Sequence, residues 1–400
     1  MKKSVHILLG VPADTEFGRG VIQGIIRFAA TTNWILGAAP VNGSVDHHGE
    51  TSHWSVDERG GVIALVESPA QAAAYKSLGL PCVNISSALG DQEMPYVACD
   101  DRTIGSLAAS HFLERQMRNF GFVGLAGRAD SEARRQAFAE RLSVDGVTKV
   151  AYHEAPDRFD EESFKSLARW IDSLPKPAGI FTMNDTLGRS VIDACRSASI
   201  RVPNAVAALG CGNDVVVCGL SSPSLSSVAL PAERVGFDAA DLLAGVIAGR
   251  KPLEKHRLVQ VSSVIPREST DNVSVRDPDV ANALRFILAH AGEWIGVREL
   301  LLALPVQRRS LERKFRKALG RSPLEEIRRV RVDLAKQLLS STDLPMPIVA
   351  RRSGFSEAKQ LSQVFRALVG MTPTSYRANF RLPDREPKDT LEAELEENPR

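Results

Sequence analysis

The stretch PIVARRSGFSEAKQLSQVFRALVGMTPTSYR, from Pro347 to Arg377, constrains this chain more than any other. It predicts two short helices joined by a tight turn. Ile348, Val349 and Ala350 give the first helix an apolar face. Gly354 stands at the turn, where glycine enters left-handed backbone space without steric cost. Ser356 is placed to cap the second helix through its hydroxyl. Leu361, Val364, Phe365 and Leu368 follow at i, i+3, i+4 and i+7 and form one inward stripe. Ser356, Lys359, Gln360 and Gln363 are left on the opposite face. Polar side chains on such a helix can hydrogen-bond base edges in a DNA major groove.

An earlier copy of the pattern lies at 297–304 and 306–320. Leu311 and Phe315 point inward there, and Arg308, Arg309 and Arg313 outward. Gln307 stands at the cap and Pro305 in the turn. A helix from Val280 to Ala291 precedes this copy, with Leu284, Ile287 and Leu288 inward. Gly320 ends the copy. Ser322 and Pro323 cap and start a connecting helix through Leu339, with Ile327, Leu334 and Leu338 inward. Two reading helices on one connector can enter successive major grooves about 34 Å apart. Arginine suits bidentate contact with guanine. Arg328, Arg329, Arg351 and Arg352 are placed for phosphate.

The run GF-S-x4-LS-x-VFR-x3-G-x-TP-x2-YR, Gly354 to Arg377, resembles the C-terminal signature of AraC/XylS-type transcription regulators. Lys359, Gln360 and Leu361 depart from the aromatic-rich run usual there, which bears on base preference. The resemblance implies an all-α domain with two helix-turn-helix motifs that binds promoter DNA. Charge agrees. Residues 280–380 carry 18 Lys and Arg against 8 Asp and Glu, leaving 32 against 40 elsewhere. A basic module beside an acidic one points to nucleic-acid binding by the first.

Four hundred residues call for two or three domains. From Ser4 to about Val264, short apolar strands (VHILLG, GVIALV, CVNIS, FGFVGL, AGIFTM, VAALG) alternate with amphipathic helices. That order predicts parallel sheets covered on both faces, in two α/β lobes. Binding sites in such folds lie beyond the carboxyl ends of the strands. Polar residues at those ends are Arg19, Asp100, Asp101, Asp185, Asn213 and Asp214. Carboxylates, amides and arginine can hold sugar hydroxyls in pairs, and Phe17 could cover a ring face. Asp and Asn before helices are also common N-caps, so both roles stand open.

The segments YVACDDRTIGSLAASHFLER, SEARRQAF, FTMNDTLGRSVIDACRSASIRVPNAVAALGCGND and SLSSVALPAERVGFDAADLL look like the effector domain of LacI/GalR regulators. That domain is similar to periplasmic sugar-binding proteins. A sensor of this type ahead of an AraC-type reader resembles the arrangement of xylose-responsive activators. By motif, the resemblance carries ligand contact to Arg19, Asp100, Arg134, Asp185 and Asn213. It implies control by a small sugar, xylose or a related one, activation of sugar-catabolism genes, a homodimer, and contact with RNA polymerase. Where relatives read G-[VI]-D-N, this chain reads Gly210-Cys211-Gly212-Asn213. Loss of that carboxylate is worth about 1.5–3 kcal/mol, so a different effector, or none, is the alternative.

The expected division is a sensor over 1–265, crossing between lobes near 100 and 226. A linker follows over 266–279, a reader over 280–381, and a disordered acidic tail over 382–400. His47, His48, Glu50 and His53 crowd together without metal-site spacing, so no metal is expected. The chain has no phosphate loop and no G-x-S-x-G elbow, so neither a cofactor nor a catalytic residue is expected. An α/β enzyme tethered to DNA is the lesser alternative. Lys2 and Lys3 precede too short an apolar run for a signal peptide, and no run of about eighteen apolar residues spans a membrane. Five cysteines without a C-x-x-C pair suit a reducing cytoplasm.

Overall fold

Apolar strands need cover on both faces, and the chain supplies it by following most strands with a helix. The computed structural model describes residues 4–38, 59–90, 93–156, 159–250, 255–271 and 277–380. The first lobe begins with β1 (Val5–Gly10), α1 (Glu16–Ala29), β2 (Trp34–Ala38) and β3 (Arg59–Ala64). It continues through α2 (Pro69–Lys76), β4 (Cys82–Asn84) and β5 (Tyr96–Cys99). Then α3 (Asp101–Leu113), β6 (Asn119–Leu125), α4 (Ala129–Ser143), β7 (Ala151–Ala155) and α5 (Glu161–Ser173) enter the second lobe. That lobe adds β8 (Ala178–Thr182), α6 (Asp185–Ser197), β9 (Val206–Gly212), α7 (Val215–Leu220) and β10 (Ser226–Ala229). The chain returns with α8 (Ala232–Ile247), packed on α1, and with β11 (His256–Val259) before β12 (Ser263–Ile265).

The sheets have orders β11-β5-β4-β3-β1-β2 and β12-β10-β9-β8-β6-β7. The pairings are parallel except β12, which runs antiparallel to β10. All five residues of β8 are buried, as a central strand covered on both sides requires. The chain crosses between lobes three times, after Cys99, Ala229 and Val259, rather than only near 100 and 226. The third crossing arises because β11 extends the first sheet and β12 closes the second.

The segment expected to begin a linker is docked instead. Residues Glu268–Thr270 form a single 3-10 turn, and Ser269 and Thr270 are fully buried. Ser269 Oγ donates to the Ala208 carbonyl at 2.6 Å and accepts from Ser226 N at 2.8 Å. Such bonds hold the chain to β9 and β10 of the second sheet as far as Thr270. Residues 272–276, the His47–His53 cluster and the tail from 381 lie outside the described residues.

The C-terminal part is helical: α9 (Pro278–Ala289), α10 (Val297–Ala303), α11 (Arg308–Leu319), α12 (Pro323–Ser341), α13 (Met346–Arg352), α14 (Ala358–Val369) and α15 (Pro373–Phe380). It holds two separate apolar cores. Leu300, Leu311 and Phe315 pack with α9 in one, and Val349, Leu361, Phe365 and Tyr376 pack in the other. The connecting helix α12 serves both, through Ile327 and Val330 on one side and Val332, Ala335 and Leu339 on the other. Ser322 caps it as expected, and Glu325 completes a capping box.

Three local expectations are corrected. Leu288, Leu334 and Leu338 are half-buried, because the inward stripes run through their neighbours. Leu368 is 55% exposed, while Val369 in the same turn packs against the core. Ser356 does not cap α14. The helix starts one residue later than a Ser356 cap requires, with Glu357 at the cap, and the Ser356 amide and hydroxyl both donate to Gln360 Oε1.

Candidate ligand cleft and DNA-reading face

The carboxyl ends of the two sheets face each other across a cavity of about 330 Å³. Phe17, Asp101, Arg134, Asp185 and Asp214 all line it. Arg134 projects from α4 and is buried. Its Nε donates to Asp101 Oδ1 at 2.7 Å and its Nη1 to the Met183 carbonyl at 2.7 Å. Its Nη2 makes no hydrogen bond among the described residues. Ser87 Oγ donates to the other Asp101 oxygen at 2.5 Å. Asp101 is thus fixed at the first turn of α3, and its burial raises its pKa against the pull of Arg134.

Asp185 opens α6 in the same way. Its Oδ1 accepts from Ser227 Oγ at 2.5 Å and its Oδ2 from Asp214 N at 2.8 Å. Burial nevertheless pushes the carboxyl up to about 6, because two donors do not replace the water it has lost. Gly212 stands where the resembling family carries a carboxylate. Its φ of +128° is one that side chains rarely adopt, and a Cβ would stand 3.0 Å from Asp185 Oδ2. Asp214, two residues on, brings a carboxylate back to the cleft. Its Oδ1 caps α7, and its Oδ2 accepts from Glu16 N of the first lobe at 3.2 Å.

Three expected ligand residues lie outside this cavity. Asp100 is an N-cap, accepting from Arg102 N, Thr103 N and Thr103 Oγ1. Arg19 folds along its own helix to Glu16 and the Ala13 carbonyl. Asn213 turns away, its Oδ1 accepting from Arg267 Nη2 at 2.7 Å. The sequence reading missed Glu67, Arg128 and Asp130, which form a salt-bridged wall across the cleft. Arg128 Nη2 reaches Glu67 Oε1 of the other lobe at 2.5 Å. The rule of polar residues after strands would have found Arg128 and Asp130 had it been applied after β6.

On the helical part, Arg308, Arg309 and Arg313 are exposed along α11. Ser356, Lys359, Gln360 and Gln363 are exposed at and along the start of α14, and Arg351 and Arg352 at the end of α13. Arg308 shares its charge with Glu312 at 2.9 Å. Gly354 has φ of +77°, the left-handed turn expected between α13 and α14. Arg328 is exposed, whereas Arg329 is half-buried. It is committed to carboxylates: Nη2 donates to Glu326 Oε1 at 2.8 Å, and Nη1 to Glu114 Oε2 at the end of α3 at 3.0 Å. Although burial opposes it, Arg329 and Arg321 hold the Glu326 carboxyl down at about 2.

Two lobes closing on a polar cleft, followed by two exposed basic reading helices, define a class. A periplasmic binding protein-like domain matches residues 109–270 and a helix-turn-helix domain residues 301–379. The chain is a DNA-binding transcription regulator with a periplasmic-binding-protein-like domain ahead of an AraC-type helix-turn-helix domain. It is similar along nearly its whole length to the xylose operon regulatory proteins. It is 26% identical over 378 residues to the one from Haemophilus influenzae, covering 92% of this chain and 96% of that protein. With that of Escherichia coli strain K12 it shares 28% over 388 residues, 94% and 97% of the two chains. A solved xylose-binding transcription activator, xylR, superposes with a TM-score of 0.58 at 26% identity, covering 96% of this chain and 100% of that one.

Proposed function

We propose that this regulator binds a small sugar, xylose or a related pentose, between its lobes and thereby changes how its two reading helices meet a promoter. One observation carries the reading. Helix α3 has Asp101, paired with Arg134, at the cleft and Glu114, paired with Arg329 of α12, at the reader. A ligand that alters the first pair acts on a rigid rod whose other end touches the reader.

Arg134, Asp101, Asp185, Asp214 and Phe17 are the proposed contacts. Arg134 Nη2 is a free donor at the cleft, and the carboxylates keep spare acceptor capacity for hydroxyls. Arg308, Arg309, Arg313, Lys359, Gln360 and Gln363 are proposed to reach DNA, with Arg351 and Arg352 on phosphate. The relatives are transcription regulators, and catalysis has no part in this reading. Activation through RNA polymerase, a homodimer and a cytoplasmic site belong to the same proposal. Among the described residues no helix is long and apolar enough to cross a membrane.

Thermal unfolding of the purified protein with a panel of pentoses and hexoses tests the effector. A ligand at 100 times its Kd adds about 2.7 kcal/mol to the folded state. A saturable shift with one pentose, absent in Asp185→Ala, supports the proposal; no shift with any sugar removes the sugar and leaves the DNA half standing.

A further inference from the structure

The two helix-turn-helix units have separate apolar cores that share α12. Between Val330, which packs in the first core, and Val332, which packs in the second, stands Arg331. It is 7% exposed. Its Nη2 donates to the carbonyls of Glu293 at 3.2 Å and Ile295 at 2.5 Å, in the loop that leads into the first unit. The same guanidinium lies over the ring of Phe355, in the turn of the second unit, 5.8 Å from its centroid. Gly354 shows how close the fit is: a Cβ there would stand 2.7 Å from both Arg331 Nε and the Ala291 carbonyl. Loop, connector and turn therefore meet at one side chain.

Arg331 forms no salt bridge among the described residues, and its buried Nε has no hydrogen-bond partner. A buried charge with no carboxylate partner is a weak source of stability. What the carbonyl bonds and the ring add is direction, because they fix both units to one planar group. We propose that Arg331 is a positioning residue that sets the rotational phase between α11 and α14, and with it the half-site spacing the protein accepts on DNA. The proposal rests on the DNA-reading function above and deepens it.

The test begins with selection of bound duplexes from a random pool by the full-length protein. The selected two-half-site duplex is then remade with up to five base pairs inserted between the halves. Wild type is expected to lose about tenfold or more in affinity when the halves are moved half a helical turn out of phase. Arg331→Met, which takes the donor from the Ile295 carbonyl, is expected to lower the unfolding temperature by a few degrees while staying folded, to bind an isolated half-site as wild type does, and to lose less than about threefold on the same insertion. Arg331→Lys, which keeps a donor for the Ile295 carbonyl but not the plane over Phe355, is expected to fall between and serves if the Met variant does not fold. A folded variant with the wild-type spacing profile would overturn the role of Arg331. Selection of no sequence by the wild type would overturn the DNA-reading function itself.

Discussion

Arg329 of α12 donates to Glu114, the residue that ends α3, at 3.0 Å, and so ties the connector of the two reading helices to a helix that begins in the ligand cleft. Thirteen residues of helix make a rod about 20 Å long. Around the same end, Arg115 Nε donates to the Thr270 carbonyl and His111 Nε2 lies 2.8 Å from Thr270 Oγ1. Arg115 also donates to His111 Nδ1, which leaves the proton on Nε2 and makes it the donor to Thr270. Burial, with Arg115 and Arg329 nearby, keeps that imidazole neutral.

Glu114→Ala should break the coupling and little else. Glu114 is exposed, and Arg329 retains Glu326 and Asp333, so the loss of stability is at most about 1 kcal/mol. Sugar binding, read as a thermal shift, should be unchanged. The ratio of operator affinities with and without sugar should collapse towards one, as fluorescence anisotropy would report. A variant with the wild-type ratio would exclude this route.

Asp185 gives a pH dependence of defined sign. Its folded pKa of about 6 lies above the ordinary 3.8, so the folded state holds the proton more tightly than the unfolded chain. Stability therefore falls as pH rises from about 4 to 6, and the full cost, roughly 3 kcal/mol, is present above pH 6. Asp185→Asn should remove that slope, gaining stability at pH 7.5 and almost none at pH 4, while losing the response to sugar. Glu326 has the opposite sign, with stability present above about 4.5 and lost as pH falls through about 2. Urea titrations at pH 2.5, 4.5 and 7.5 separate the two, the step below 4.5 reading Glu326 and the step above it Asp185.

Gly212→Asp should not restore the carboxylate of the relatives. The φ of +128° and the nearby Asp185 oxygen impose a cost of about 1–3 kcal/mol. Lower thermal stability with no gain in sugar affinity is expected; a tighter sugar complex would show that the loop can rearrange.

Phe365→Ala should empty the second reader core, at a cost of about 3–5 kcal/mol. Because the sensor has its own core, calorimetry should show the sugar-responsive transition persisting after DNA binding is lost. A single shared transition would mean that the two parts unfold together.

Arg352→Ala and Gln363→Ala should differ in kind. Removing a phosphate ligand should weaken all sequences alike and reduce the salt slope of binding by about one. Removing a base contact should instead relax selection at one position, by about 1–3 kcal/mol, with the slope unchanged. Salt titrations on selected and scrambled duplexes would distinguish them.

Local pattern by itself determined the lobes, the reading helices and the faces they expose. Strands such as AGIFTM announce burial on both sides, and Leu361 with Phe365 announces an inward stripe, because helical and strand periods are written in adjacent residues. Asp101 and Asp185 were legible at the ends of strands, whereas Arg134, inside α4, was legible only through the motif shared with LacI/GalR regulators. What each polar side chain does was decided only by the tertiary structure. Asp100 and Asp101 are neighbours in sequence, yet one caps a helix and the other meets Arg134 in the cleft. Arg328 and Arg329 are neighbours too, yet one is exposed and the other is spent on Glu114 and Glu326. The partners lie far along the chain, Glu114 215 residues from Arg329 and Glu293 38 from Arg331. No local period records a pairing made by the way helices and lobes pack.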